Sequence, residues 1–312
     1  QAERELIGCF LAEAESREKM SSMVTAIRKR NHLKEYDAVI GLSGGVDSSY
    51  AAVMAHQLGL RLLAVHCDTG WNSAEAVNNI HNIINTLGID LETVVVNWEE
   101  MRAVQAAFFK ASVPNCDIPQ DHAIGSVVNQ VASEVGVKDF ISGGNIVSES
   151  ILPIAWGYDA RDWKHLKYIA KKFGHGTPRD FPHLTAIESY FWLPFIRGVR
   201  TYRILNDMDY NPLQAKVRLA GDYGGKDYGG KHFESHFTRF FQSYYLPEKF
   251  GYDKRRAHYS SLIIAGKMSR NDALQKLQES AFQGDINQSI EYFLKKLQLN
   301  RRECSNILPN FP

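Results

Sequence analysis

From Tyr36 onward the chain alternates short apolar runs with segments whose apolar positions recur every three or four residues. The runs "YDAVIGLS", "RLLAVHCD", "LETVVVN" and "KDFISGGN" read as four buried strands. Between them, 46–58, 73–87 and 99–110 carry helical spacing. Another helix opens at Asp117, with Pro119 in its first turn and Gln120 three residues on, as in a capping box. Ile124, Val127, Val128, Val131 and Val135 form its apolar stripe, and Gly136 is the expected stop. Apolar strands alternating with amphipathic helices predict a parallel sheet covered on both faces. Residues 1–35 read as a charged, helix-prone lead-in. Beyond about Leu193 the alternation fades into helical pattern with little strand, at 212–219, 232–245, 254–265 and 271–277. The expected organisation is thus a helical lead-in over 1–35, a doubly wound α/β domain over 36–195 and a mostly helical part over 196–312.

Composition narrows this picture only slightly. With 312 residues, 44% of them hydrophobic, there is material for a sizeable core. The 36 basic and 35 acidic residues nearly cancel to +1, which argues against a dedicated nucleic-acid binder. Cys9, Cys67, Cys116 and Cys304 are scattered without a C-x-x-C pair, which suits a reducing, cytoplasmic setting and offers no zinc knuckle. No apolar run reaches membrane-spanning length and no signal peptide stands out, so no membrane partner is expected.

Chemistry enters at the end of the first strand. Ser43-Gly44-Gly45-Val46-Asp47-Ser48 joins that strand to a helix N-terminus, whose first-turn amides lack intrahelical partners and attract anions. Gly44 and Gly45 let the backbone approach a ligand, while Ser43 and Ser48 add hydroxyl donors. Asp47 would repel phosphate, so it either holds a metal ion or caps the helix. Ser-Gly-Gly also occurs as an ordinary turn, but here a strand precedes it and a helix follows. The loop is neither the Walker type nor G-x-G-x-x-G. S-G-G-x-D-S after a strand resembles the signature of the ATP pyrophosphatases, adenine nucleotide alpha hydrolase-like proteins that cleave ATP between its α and β phosphates. That resemblance implies ATP as cofactor, with the loop gripping the departing diphosphate.

Ligands of open parallel sheets sit at the carboxyl ends of the strands. Strand two brings His66, Cys67 and Asp68 to that edge, and strand four brings Gly143, Gly144 and Asn145, with Glu149 a turn later. Asp68 or Glu149 would suit Mg²⁺, which favours carboxylate and phosphate oxygens. Asp68 reads equally well as a turn residue, and Glu149 as a solvated helix-start charge.

Four longer segments extend the resemblance: "VPNCDIPQDHAI", "SGGNIVSESILPIAWGYDARD", "DYGGKDYGGKHFESHFTRFFQSYYLPEKFGYDKRRAHYSSLIIAG" and "MSRNDAL". Together they are similar to the N-acetyl sugar amidotransferases of surface-polysaccharide (lipopolysaccharide O-antigen) biosynthesis, over about residues 37–277. Members often begin with a cysteine-rich, zinc-knuckle-like segment that has no counterpart here, and Cys116 stands where no particular cysteine is expected. The resemblance implies adenylation of the N-acetyl amide oxygen of a nucleotide-activated sugar, followed by ammonia to give an acetamidino group, AMP and diphosphate. It further implies ammonia from a separate glutaminase with a barrel-type, ammonia-channelling subunit; Cys9 lies in no glutaminase nucleophile context.

On this reading Asp47, Asp121 and Lys231 are candidate catalytic residues. Ser43, Gly44, Gly45, Asp47, Ser48, Asp68, Gly143, Gly144 and Asn145 are candidates for the nucleotide, with Asp47 for the metal. Glu149, Trp156, Tyr228, Lys231, His232, Glu234, Arg239, Lys254, Arg255 and Arg256 are candidates for the sugar nucleotide. Arginine suits bidentate contact with phosphate or a uronate carboxylate. Phe237, Phe240, Phe241 and Tyr244 read better as a helix's core stripe, and "DKRRAH" alone reads equally as a solvated charge run. Three rivals keep the loop: a tRNA thiolation enzyme using Cys67 or Cys116, a module that binds ATP without cleaving it, and an ammonia-dependent NAD or GMP synthetase.

Overall fold

The computed structural model describes residues 13–302 except His175, Tyr228 and His232, together with Ser305. Tyr228, His232, Cys9, Cys304 and the first twelve residues of the lead-in lie outside the described residues.

The lead-in forms helix α1 (Glu13–Asn31). Five strands follow in one parallel sheet of order β3-β2-β1-β4-β5. They are β1 (Ala38–Gly41), β2 (Leu62–Asp68), β3 (Asp90–Val95), β4 (Asp139–Ile141) and β5 (Arg200–Tyr202). The first four match the expected runs. β5 lies beyond residue 193, where little strand is expected, and the sequence does not single it out: "RTY" is three residues long, polar and at the sheet edge, so it carries no apolar run to reveal it. Hydrogen bonds to β4 and its flanks define it, with Arg200 N donating to Lys138 O and Ser142 N to Tyr202 O.

Alternation along the central strands explains the layering. Val39, Leu63, Val65 and Cys67 face a core shared with α4 (Trp98–Lys110), α5 (Ile118–Glu134) and α7 (Trp163–Phe173). Ala38, Ile40, Leu42, Leu62 and Ala64 face the opposite core, against α1, α2 (Val46–Gln57), α3 (Ala74–Leu87) and α8 (Pro212–Tyr223). Successive strand residues point to opposite faces, so near-continuous apolar strands require helices on both sides.

Asp117 does not cap α5 as expected. Its backbone is already helical and its carboxylate, buried, accepts from Thr238 Oγ1 at 2.9 Å, Gln120 Nε2 at 3.1 Å and Gln242 Nε2 at 3.4 Å. A long-range hydrogen-bond set has displaced the local cap. Gly136, at φ +70°, does end the helix.

The C-terminal part is helical: α9 (His236–Phe240) passes through a π-helical turn (Phe241–Tyr245) into α10 (Leu246–Phe250), then α11 (Lys254–Ile264), α12 (Arg270–Gln278) and α13 (Ile286–Leu297). Phe237, Phe240 and Phe241 are buried there: Phe237 packs with Trp71, Phe109 and Phe293, Phe240 with Phe293, and Phe241 with Phe237 and Tyr245. They are core, as their spacing indicates. No helix among the described residues is long and apolar enough to cross a membrane.

Candidate functional site

The chain runs outward from β1 to β2 and β3, then returns to place β4 on the other side of β1. That reversal opens a crevice at the carboxyl ends of β1 and β4. The Ser43–Ser48 loop fills one side of it, and the Ser142–Asn145 turn fills the other. The two turns touch so closely that a Cβ on Gly143 would come within 2.7 Å of the Ser48 backbone nitrogen. Gly44, at φ +77°, leaves no room for a side chain against the Ala76 backbone. Gly143 is therefore needed for the two turns to meet, and Gly44 for the loop to pack against α3. The loop is pinned by its own serines: Ser43 Oγ lies 3.1 Å from Ser48 Oγ and accepts from Gly45 N at 3.2 Å. This leaves the start of α2 facing the crevice.

A strap from the far end of the chain closes this floor. Ser73 N donates to Glu234 O and His236 N to Trp71 O, both at 2.8 Å, beside an antiparallel bridge between Asn72 and Ser235. So held, the strap delivers two side chains. Lys231 Nζ lies 3.0 Å from Asp47 Oδ2, 3.0 Å from Glu149 Oε1 and 2.5 Å from Ser148 Oγ. Burial alone would lower the Lys231 pKa, but the two carboxylates outweigh it and raise it, so the ammonium stays charged. Glu234 turns towards the loop, accepting from Ser43 Oγ at 3.3 Å. Burial, with Asp47 nearby, pushes its carboxyl up to about 7.

The loop stands between two cavities. One, about 420 Å³, is lined by Ser43, Asp47, Gly143, Glu149, Lys231 and His258 among others, with Lys216 and Lys276 adding positive charge. The other, about 360 Å³, lies over the ends of β1 and β2 and takes in Cys67, Asp117, Gln120, Asp121 and Lys254. Ser43 and Glu234 line both. Asp121 keeps contact with solvent through the cavity while protein rings it. The protein around it, with the Asp117 carboxyl beside it, raises the Asp121 carboxyl, and its exposure to the cavity moderates that rise.

The candidates divide accordingly. Ser43, Gly45, Asp47, Ser48, Gly143, Gly144, Glu149, Lys231 and Glu234 gather in the larger cavity, with Gly44 beneath the loop. Asn145 is buried and caps the short helix α6 (Ile146–Glu149), accepting from Ser148 N at 3.0 Å. Asp121 and Lys254 belong to the smaller cavity. Asp68 accepts from Gly70 N at 2.8 Å and Asn72 Nδ2 at 3.1 Å, the contacts of a turn residue. Trp156 stacks on Tyr252, Arg239 lies over Phe282, Arg255 pairs with Asp253, and Arg256 is exposed. These last four do not converge on the loop.

Two groups lacked a sequence signal. Tyr210 is buried and donates its hydroxyl to Asp47 Oδ1, 163 residues away. His258 lines the larger cavity with its Nδ1 2.9 Å from Ser148 O; burial and the Lys231 charge push it down to about 4, so it is neutral.

Lys231 holds Asp47 and Glu149 around one positively charged position. Two carboxylates converging on a single point beside an anion cradle form a donor set that fits a hard divalent cation. Neither cysteine in the described part is set up as a nucleophile. Burial pushes the Cys67 thiol up to about 12, and the fully buried Cys116 is raised for the same reason.

Comparisons with known proteins divide along the same lines. Residues 18–120 match the NAD synthase family, and residues 234–312 match the LPS biosynthesis protein WbpG-like, C-terminal domain. A component of the glutamine-hydrolysing GMP synthase of Archaeoglobus fulgidus is 43% identical over 61 residues, 19% of this chain. The chain spans 20% of the length of that curated relative. Among solved structures, NMN synthetase from Francisella tularensis aligns at 17% identity over 69% of this chain and 94% of its own, with a TM-score of 0.34. The NH3-dependent NAD synthetase of Campylobacter jejuni aligns at 14% identity over 88% and 99%, with a TM-score of 0.36. The U34-tRNA thiolase NcsA of Methanococcus maripaludis aligns at 16% identity over 83% and 82%, also at 0.36. The chain thus joins a doubly wound parallel sheet, whose glycine loop at the strand reversal lies within an NAD synthase match, to a C-terminal part that matches the WbpG-like domain from the strap onward.

Proposed function

We propose that this protein is an ATP-dependent amidotransferase acting on a nucleotide-activated N-acetyl sugar in surface-polysaccharide biosynthesis. One observation carries the reading. Lys231, three residues before the WbpG-like match begins, reaches into the loop of the NAD synthase match and bonds to Asp47. The nucleotide loop and the segment that leads into the WbpG-like part thus share one site.

An amide oxygen is a poor leaving group, so ammonia cannot displace it directly. In the proposed reaction the amide oxygen attacks the α-phosphorus of ATP and the bond to diphosphate breaks. Ammonia then adds to the imidate carbon, AMP leaves with the former amide oxygen, and proton loss gives the amidine. The Gly44–Ser48 amides and the Ser43 and Ser48 hydroxyls would hold the diphosphate as its charge builds, usually the largest catalytic contribution in such transfers. Asp47 and Glu149 would hold Mg²⁺, which supplies neutralisation of the phosphate charge when bound. Lys231 would then turn from these carboxylates to the phosphates. Asp121, protonated in part near neutral pH, is suited to pass a proton at the acceptor. Ammonia would come from a separate glutaminase through a barrel-type channelling subunit, in the cytoplasm.

The test is to incubate the protein with ATP, Mg²⁺, ammonium and a panel of N-acetylated sugar nucleotides. Mass spectrometry should find AMP and a sugar product about one mass unit lighter, as O is exchanged for NH. ADP and orthophosphate, or AMP without sugar modification, would refute the reading.

A further inference from the structure

A third cavity, of about 280 Å³, lies against the neighbouring face of α5. Asp121, on the ridge between the two faces, lines both this cavity and the smaller chamber at the loop. The spacing of residues 117, 120, 121 and 124 on one face, and 121, 122, 125, 126 and 129 on the other, follows from 3.6 residues per turn. We propose that this third cavity takes the pyranose ring of the 2-acetamido sugar, so that the acetamido group extends past Asp121 towards the nucleotide chamber. This rests on the amidotransferase reading and adds to it the place where the sugar sits.

The lining suits a polyhydroxylated ring. Asp121, Ser126, Asn129, Arg161, Ser189 and Thr201 supply donors and acceptors around the walls. Asn129 Nδ2 donates to Gly125 O at 2.8 Å, which fixes the amide's orientation, since the flipped form would set oxygen against oxygen. Its Oδ1, shielded from water, then has no hydrogen-bond partner among the described residues. A sugar hydroxyl that drew this side chain outward would relieve that loss. His122 makes a rigid neutral wall, with Nδ1 2.6 Å from Ala160 O and Nε2 accepting from Leu184 N at 3.3 Å.

The rim has the complementary character. The π-helical segment Glu188–Arg197 contributes Ser189, Leu193 and Pro194 to the cavity, and the exposed Tyr190 lies under Arg161 at its rim. Aromatic faces against the C–H face of a sugar, with polar groups at its edge, combine apolar area with directional contacts. Arg161, held by Asp159 and lying 4.5 Å from the Tyr190 ring centre, puts fixed positive charge at the same rim. A phosphate or a uronate carboxylate of the sugar nucleotide would meet it there.

Gly125 allows a clean test. It lines the cavity in the middle of α5, and a Cβ there would meet nothing within 4 Å. Gly125→Leu should therefore fill the cavity while improving helix propensity, so the variant is expected to fold and melt at or above the wild-type temperature. The probes are UDP-N-acetylglucosamine and UDP-linked 2-acetamido uronates, followed by saturation-transfer NMR and by product formation. Gly125→Leu should raise KM for the converted sugar nucleotide at least tenfold and abolish its saturation-transfer signal, with ATP affinity by calorimetry unchanged. Asn129→Ala should give a smaller rise in the same parameter. If the wild type converts a probe and Gly125→Leu does so with the same KM, the cavity is not the sugar site, although amidation stands. If the wild type neither binds nor converts any probe, the amidotransferase reading fails and takes this assignment with it.

Discussion

The floor of the crevice and the strap that closes it are built on different length scales. Ser43, Gly44, Gly45, Asp47 and Ser48 are neighbours in sequence, and one strand and one helix suffice to aim them. Lys231 reaches Asp47 from 184 residues away and is held by a bridge to the turn after β2. The floor can thus bind an anion by local geometry alone, whereas the strap's contribution depends on the whole fold being in place. Floor substitutions should therefore strike the chemical step, and strap substitutions should also alter how stability and metal use respond to conditions.

The largest effect is expected at Asp47. Asp47→Ala should lower the rate of diphosphate release by about a hundred- to a thousand-fold, the range seen when one preorganised charge-stabilising group is lost. Its far-UV circular dichroism should match the wild type, because Asp47 is a partly exposed loop-edge residue. A collapse of folded protein would mean that the floor depends on this carboxylate for structure. Next comes Tyr210→Phe, which removes one hydrogen bond to Asp47 from the side opposite Lys231. A loss of about 1 kcal/mol is expected, roughly fivefold in rate. Because the hydroxyl orients a carboxylate suited to a cation, the Mg²⁺ concentration giving half-maximal rate should rise as well. An unchanged Mg²⁺ dependence would leave Tyr210 only a packing role.

The same contrast explains what the sequence discloses. β1 to β4 and the glycine loop are legible because hydrophobic period, turn residues and helix onset all act within about ten residues. β5 escapes because a short polar edge strand is defined by its partner. The Asp117 cap is misread because Thr238 and Gln242, more than a hundred residues on, offer its carboxylate better partners than its own helix does. Arg239, Arg255 and Arg256 show the limit of reading charge without direction. The right residue types lie in a matched segment, yet the helices carrying them turn the guanidinium groups to Gln283, Asp253 and solvent. Tyr210 has no local signature at all.

Glu234 supplies a smaller effect, read in stability. Burial raises its folded-state value from an ordinary 4.5 to about 7, with the Asp47 charge acting in the same direction and Lys231 against it. Between those values the folded protein keeps a proton that the unfolded chain has released. The resulting stabilisation is present at low pH and is lost as pH rises through that window. Asp121, raised from 3.8 but exposed to solvent in its cavity, acts in the same sense more weakly. The melting temperature should therefore carry a falling component between about pH 4 and about pH 7, and Glu234→Gln should reduce that component without abolishing it, since Asp121 remains. An identical slope in the variant would place Glu234's proton outside the folding equilibrium.

The smallest effect on rate should come from Cys116→Ala, and it separates amidation from sulfur transfer. Cys116 is fully buried, with Sγ donating to Val113 O at 3.5 Å, and neither its environment nor that of Cys67 favours a thiolate. A sulfur carrier must ionise and must reach the adenylated acceptor. Cys116 lines neither of the two cavities beside the loop, whereas Cys67 reaches one of them with its thiol held protonated. Removing the Cys116 sulfur leaves a small void, worth about 1–2 kcal/mol of stability, and turnover should stay near wild type. If this variant lost activity while keeping its melting transition within the range of that void, Cys116 would have to move out of its core position during turnover. The π-helical turn that follows the strap and α9, which places Tyr245 against that cysteine, would then be moving during turnover.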